Sequence, residues 1–153
     1  MEVQTPYDLE AHVGKKLGTS QWLTIDQQRI DDFARVSGDD NWIHVDVERA
    51  KRELPGGKTM AHGMLTLALM THLGTEICRV LERSRGINYG SNKVRFTAPV
   101  FCGVRIRLHR TLEKYEPIDG GVRLTFGNIM EIEDVERPAL VAETISVMYA
   151  KEG

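Results

Sequence analysis

A chain of 153 residues is the size of one domain and can bury a real core, and it reads as a single domain over residues 1–153. A net charge of −2, with acids and bases interleaved, removes the electrostatic footprint of a nucleic-acid or anionic-membrane binder. The opening MEVQTPYDLEAHVG lacks the basic start and apolar run of a signal peptide. The most apolar stretch, Met60 to Leu73, is too short to span a bilayer, so a soluble, cytoplasmic protein with no membrane or nucleic-acid partner is expected.

In chain order, T-I-D-Q from Thr24 has the form of a capping box. Ile30, Phe33, Ala34 and Val36 then give one apolar helix face that stops at Gly38. A polar loop follows. Asp46 can cap a short helix VERAKRE, and LPGGKT, Leu54 to Thr59, has the composition of a turn. The longest helical pattern runs from about Ala61 to Leu81. Its first half is apolar on nearly every side, which predicts a helix wrapped by its surroundings. After Gly86 the period changes to two, through INYG, NKVRF, VRIRLHRTLEKY, VRLTFGNIMEIE and ALVAETISVMYA. Val104, Ile106 and Leu108 alternate with Arg105, Arg107 and His109, as on a strand with one buried face and one wet face. Asp119-Gly120-Gly121 reads as a hairpin turn. The fold class is therefore α+β. An antiparallel β-sheet, completed by an early strand near Gln21 to Ile25, wraps a long central α-helix in a hot-dog arrangement, although a plain α+β sandwich fits the periodicity almost as well. Cys78 and Cys102 have neither metal-ligand spacing nor a disulfide framework and read as reduced thiols, with Cys102 a small apolar residue rather than a nucleophile.

The stretch SGDDNWIH, Ser37 to His44, sets Asp39, Asp40, Asn41 and His44 around Trp42 and Ile43. Three accounts of it stand. Turn and cap chemistry explains the acids and the amide, with His44 a satisfied core imidazole. A metal account takes His44-Val45-Asp46 as two ligands and His62, His72 or His109 as a third. Asp46 is better used as a helix cap, and no metal is expected. An acid–base account pairs Asp39 with His44 on one water, with Trp42 and Ile43 excluding bulk solvent and Asp40 left as a turn residue.

Two further segments bear on that choice. G-D-D-N-W-I-H closely resembles the G-D-x-N-P-[LIV]-H signature of the MaoC-like, (R)-specific enoyl-CoA hydratases. A-H-G-M-L-T-L, Ala61 to Leu67, is similar to that family's V-H-G-M-L helix start, and F-T-A-P-V-F-C-G-V, Phe96 to Val104, to its F-x-x-P-V-x-x-G-D strand pair. Trp42 stands where the family has proline, and Val104 where it has aspartate. Trp42 together with INYG-x-NKVRF, Ile87 to Phe96, is similar to the NodN-like branch.

The resemblance implies a hot-dog fold and reversible hydration of a trans-2-enoyl thioester to the (R)-3-hydroxyacyl thioester. It implies that Asp39 and His44 form the catalytic dyad, that Asn41 orients it, and that the Gly63 N–H binds the thioester oxygen. Thr71 would supply a hydroxyl touching the catalytic acid. His62 reads either as a helix-start residue or as a substrate neighbour. Elementary physics favours the role of Gly63, because the first N–H groups of a helix lack internal partners and face a developing negative charge. The implied partner is an acyl-CoA or acyl-carrier-protein thioester. Coenzyme A or pantetheine enters as part of that substrate, with no separate cofactor, and Lys58, Lys93 and Arg95 are the cations available for its phosphates. A homodimer is expected. A thioesterase of the same fold and a non-catalytic acyl-thioester-binding subunit are the alternatives, and having both dyad residues in one chain argues against the second.

Overall fold

Short strands β1 (Glu2–Val3), β2 (Lys16–Thr19) and β3 (Leu23–Thr24) lead into helices α1 (Gln27–Ser37), α2 (Trp42–Val45), α3 (Val47–Glu53) and α4 (Gly63–Ile77) in a computed structural model that describes residues 1–151. Helix α1 begins later than the T-I-D-Q pattern suggested. Thr24 is taken up by pairing with Arg105, and Asp26 becomes the cap, its side chain accepting from the Arg29 N–H. The helix ends as expected at Gly38, whose left-handed φ of 76° costs a glycine nothing. Ile30 and Ala34 are buried, whereas Val36 lies off the apolar face. Asp46 caps α3 through the Arg49 N–H, the role assigned to it from the sequence.

Strands β4 (Arg79–Val80), β5 (Arg83–Phe96), β6 (Arg105–Ile118), β7 (Gly121–Ile132) and β8 (Val135–Ala150) follow. The main sheet has the order β2-β6-β7-β8-β5, with β3 also pairing β6, and the pairings of its long strands are antiparallel. Ile118 pairs with Gly121 across a two-residue turn at Asp119-Gly120. Ile106, Leu108 and Leu112 of β6, Val122, Leu124 and Met130 of β7 and Leu140 of β8 form the inner layer together with Leu73 and Ile77 of α4. Arg105 is exposed, and Arg107 and His109 are half-buried on the other face, as the alternation required.

Helix α4 departs from expectation in two ways. It stops at Ile77 rather than near Leu81, because Arg79 and Val80 pair in parallel with Glu2 and Val3, and that ladder draws the chain into an extended form. Nor is it wrapped on all sides. Leu65, Thr66, Met70, Leu73 and Gly74 face the sheet, while Met64 on the far side is 57% exposed. Among the described residues no helix is long and apolar enough to cross a membrane.

Candidate active site

The segment between α1 and α4 is held at both ends. Gln27 of α1 donates through Nε2 to the His44 carbonyl (2.8 Å) and accepts from the Thr59 hydroxyl (2.5 Å), which ties α2 to the approach of α4. Met60 donates its N–H to the Ile43 carbonyl, and the Ala61 N–H donates to that of Val100. The backbone of residues 59–61 is thereby clamped between α2 and the strand segment that follows Phe96.

That clamp positions His44. Its Nδ1 lies 2.6 Å from the Met60 carbonyl oxygen, which can only accept, so Nδ1 carries the proton and Nε2 is left with a free lone pair. His62, at the residue before α4, stacks on His44 with ring centroids 3.7 Å apart and 26° between the planes. By the same reasoning its Nε2–H donates to the Asp39 backbone carbonyl (2.8 Å), while its buried Nδ1 has no partner among the described residues. A carboxylate oxygen of Asp39 and one ring nitrogen from each histidine lie within 4.8 Å of one another. Phe33 of α1 closes one side, its ring 5.0 Å from that of His62.

The remaining residues read from the sequence fall in and around this cluster. Asn41 caps α2 by accepting from the Ile43 N–H, and its own N–H reaches Asp39 Oδ1 at 3.4 Å, so its contact with the Asp39 side chain is through the backbone. Gly63 opens α4, and its N–H makes no hydrogen bond among the described residues. It lines a cavity of about 280 Å³ together with His44, Thr66 and Phe96. The space that a Cβ on Gly63 would take is occupied by the Phe96 ring, 3.0 Å away. Thr71 lies two turns further on, about 12 Å along the axis. There its hydroxyl accepts from Asn88 Nδ2 at 3.4 Å, and within one chain it does not meet Asp39. Trp42 turns away as well. Its ring lies under the Arg49 guanidinium at 3.9 Å, so the apolar wall of the dyad is the histidine stack and Phe33 rather than Trp42. Lys58, Lys93 and Arg95 are exposed.

The metal account loses its ligands: Asp46 is spent as a cap, His72 pairs with Glu76 on an exposed helix face, and His109 bonds Glu131 on the outer sheet face. Nor does the trio of Asp39, His44 and His62 suit a metal. An ion about 2.1 Å from two imidazole nitrogens must lie close to both ring planes, and stacked rings direct their in-plane lone pairs side by side. The arrangement suits a shared water or proton instead. Gln27, Phe33, the Met60 carbonyl, Thr66 and Phe96 escaped sequence reasoning. A backbone carbonyl leaves no residue-type signal at all, and Thr66 looks like any helical threonine.

A long helix packed on an antiparallel sheet, with His44 and the helix's first free amide on one cavity and the Asp39 carboxylate close to His44, defines a hot-dog protein with a candidate site at the start of that helix. The chain belongs to the MaoC-like domain family, whose model matches residues 8–131. It is 45% identical over 139 residues to the 3-hydroxyacyl-thioester dehydratase Z of Mycobacterium tuberculosis (strain CDC 1551 / Oshkosh), covering 90% of this chain and 91% of that one. It is 38% identical over 143 residues to nodulation protein N of Rhizobium leguminosarum bv. viciae, covering 92% and 89%. Among solved structures, a monoamine oxidase regulatory protein from Archaeoglobus matches with a TM-score of 0.77 at 23% identity over 100% of this chain and 98% of that one. The (R)-hydratase from A. caviae matches at 0.69 and 22% identity over 88% and 94%. At those identities the two structures establish the fold alone.

Proposed function

We propose that this protein is a hydro-lyase that adds water to trans-2-enoyl thioesters to give (R)-3-hydroxyacyl thioesters, and runs the reverse dehydration. The observation that carries the reading is the gathering of the Asp39 carboxylate with a ring nitrogen of His44 within 4.8 Å, together with the cavity that His44 shares with Gly63, whose N–H at the amino end of α4 is unpaired among the described residues. The Gly63 N–H, aided by the helix dipole, polarises the thioester carbonyl and makes Cβ electrophilic. Water donates to the Asp39 carboxylate and to His44 Nε2, and its oxygen bonds to Cβ as the pair takes one proton. The C=C electron pair moves toward the thioester oxygen. Return of a proton from the dyad to Cα completes the addition: hydroxyl on Cβ, hydrogen on Cα, one water consumed.

The substrate is an acyl-CoA or acyl-carrier-protein thioester, its pantetheine arm serving as a handle, and no separate cofactor takes part. Work in the cytoplasm accords with two free thiols, Cys78 and Cys102. The protein acts as a homodimer. Support for this comes from β5, exposed along nearly its whole length at the edge of the sheet, with Ile87, Tyr89 and Phe96 uncovered, and from Met64 and Ala68, uncovered on α4.

The test is loss of enoyl absorbance when the purified chain is given trans-2-butenoyl-CoA, with chiral analysis of the product. Asp39→Asn and His44→Ala should each lower kcat by about 10²–10⁴-fold, the range of general acid–base catalysis. An (S)-product, or thiol release from a saturated acyl-CoA without hydration, would overturn the assignment, the latter in favour of a thioesterase.

A further inference from the structure

The inner face of the sheet breaks its apolar pattern at one row. Inward positions on β6 are Ile106, Leu108, Arg110 and Leu112, so a guanidinium occupies a place where its three companions are fully buried aliphatics. Asn128 of β7 lies directly opposite, and its Oδ1 accepts from Arg110 Nε at 2.8 Å. The Asn128 amide in turn donates to the Thr144 hydroxyl and the Ala142 carbonyl of β8. Arg110 Nη2 donates to the Met70 carbonyl at 3.1 Å. All of these partners are neutral. No carboxylate pairs with Arg110 among the described residues, and its Nη1 makes no hydrogen bond there.

Burial lowers the Arg110 pKa to about 10, so the group remains charged at neutral pH, while burial raises the Cys78 thiol and removes it as a counter-charge. Gly74 makes room for the cation, because any Cβ there would collide with the guanidinium. The Phe126 ring face, 4.9 Å from the guanidinium, offers partial compensation, weaker than a carboxylate would give, so the cation remains costly in this row. The cation also faces open space. Arg110 lines a cavity of about 370 Å³ between α4, β5 and β8, with Thr71 and Ser146 among its polar walls.

The two cavities share no lining residue, but they follow one another along the same face of α4. Gly63 and Thr66 line the space beside His44, and Leu67, Met70, Thr71 and Gly74 line the space before Arg110, at successive steps of three or four residues. From Gly63 to Gly74 is about 16 Å along the helix, the reach of a medium-length acyl chain. We propose that the acyl group accepted here ends in a carboxylate or comparable oxyanion that pairs with Arg110, making the preferred substrates mono-thioesters of medium-length dicarboxylic enoyl acids. The proposal rests on the hydratase reading for the chemistry at the other end of the chain.

Two trans-2-enoyl-CoA substrates of equal length, one ending in carboxylate and one in methyl, test it. In the unaltered protein kcat/KM should favour the carboxylate by about tenfold or more. Arg110→Met should erase that ratio, and Arg110→Lys should restore part of it. Because both substrates carry the same coenzyme, an equal loss on both in Arg110→Met would mean that the cation serves the coenzyme phosphates, and would overturn the proposal. So would a preference for methyl in the unaltered protein, a result that does not depend on any variant folding. Calorimetry with a free medium-length dicarboxylate against the matching monocarboxylate reads the cavity without turnover. If neither enoyl substrate is hydrated, the hydratase reading fails by itself. Tighter binding of the dicarboxylate, by about tenfold, then still upholds the Arg110 site, and equal binding overturns it.

Discussion

His44 owes its chemistry to a residue with no reactive side chain. The Met60 carbonyl fixes the tautomer, and His62 holds the ring face while anchoring the Asp39 backbone. On the proposed mechanism His62 acts through Asp39 and His44 as a positioning residue. Its replacement by alanine removes one hydrogen bond and one stacking partner, a loss of about 1 kcal/mol or somewhat more, so kcat should fall about tenfold. KM should change little, because the His62 ring is engaged with the Asp39 carbonyl and the face of His44, so its loss leaves the backbone that presents the Gly63 amide in place. Steady-state kinetics separates the two constants, and a change confined to KM would refute this role.

At the scale of elements, caps and cross-strand pairs hold the site in register. Asp46→Ala removes the cap of α3 and should cost about 1 kcal/mol, read as a lower denaturation midpoint with an unchanged slope. On the outer face of β6 and β7, Arg107 and Glu131 are directly paired, and Glu131 also accepts from His109. The hydrogen bond from Arg107, seconded by His109, holds the Glu131 carboxyl below its ordinary range. A depressed carboxyl stabilises the fold fully above its unfolded-state pKa, and that contribution is lost as pH falls through the lower, folded-state value. Thermal melts should place Glu131→Gln below the unaltered protein by a few degrees at neutral pH, the two converging in acid. A constant gap across that range would contradict the linkage.

For the whole molecule, the free edge of β5 is the unfinished part. A 14-residue strand exposed on both faces, beside a helix whose Met64 side is uncovered, is an unstable surface for a lone chain. Sedimentation should give the mass of two chains. Tyr89→Lys, which places a charge on that edge, should shift the equilibrium toward one chain at low concentration. A monomer in the unaltered protein would leave the exposed Ile87, Tyr89 and Phe96 without a partner and would overturn the dimer.

Local pattern settled a good deal. Alternation of Ile106 and Leu108 with Arg107 and His109 determined the strand and its faces, Asp46 announced its helix, and the short span from Asp39 to His44 kept carboxylate and imidazole within one connecting segment, the imidazole on the short helix α2, because side-chain direction and cap chemistry act over a few residues. Contacts distant in sequence were decided only by the tertiary structure. The Met60 carbonyl meets His44 through backbone that carries no residue signature, and α4 ends early because Val80 finds Val3. Arg110 becomes a half-buried cation facing a cavity only because Gly74, on another element, leaves it room.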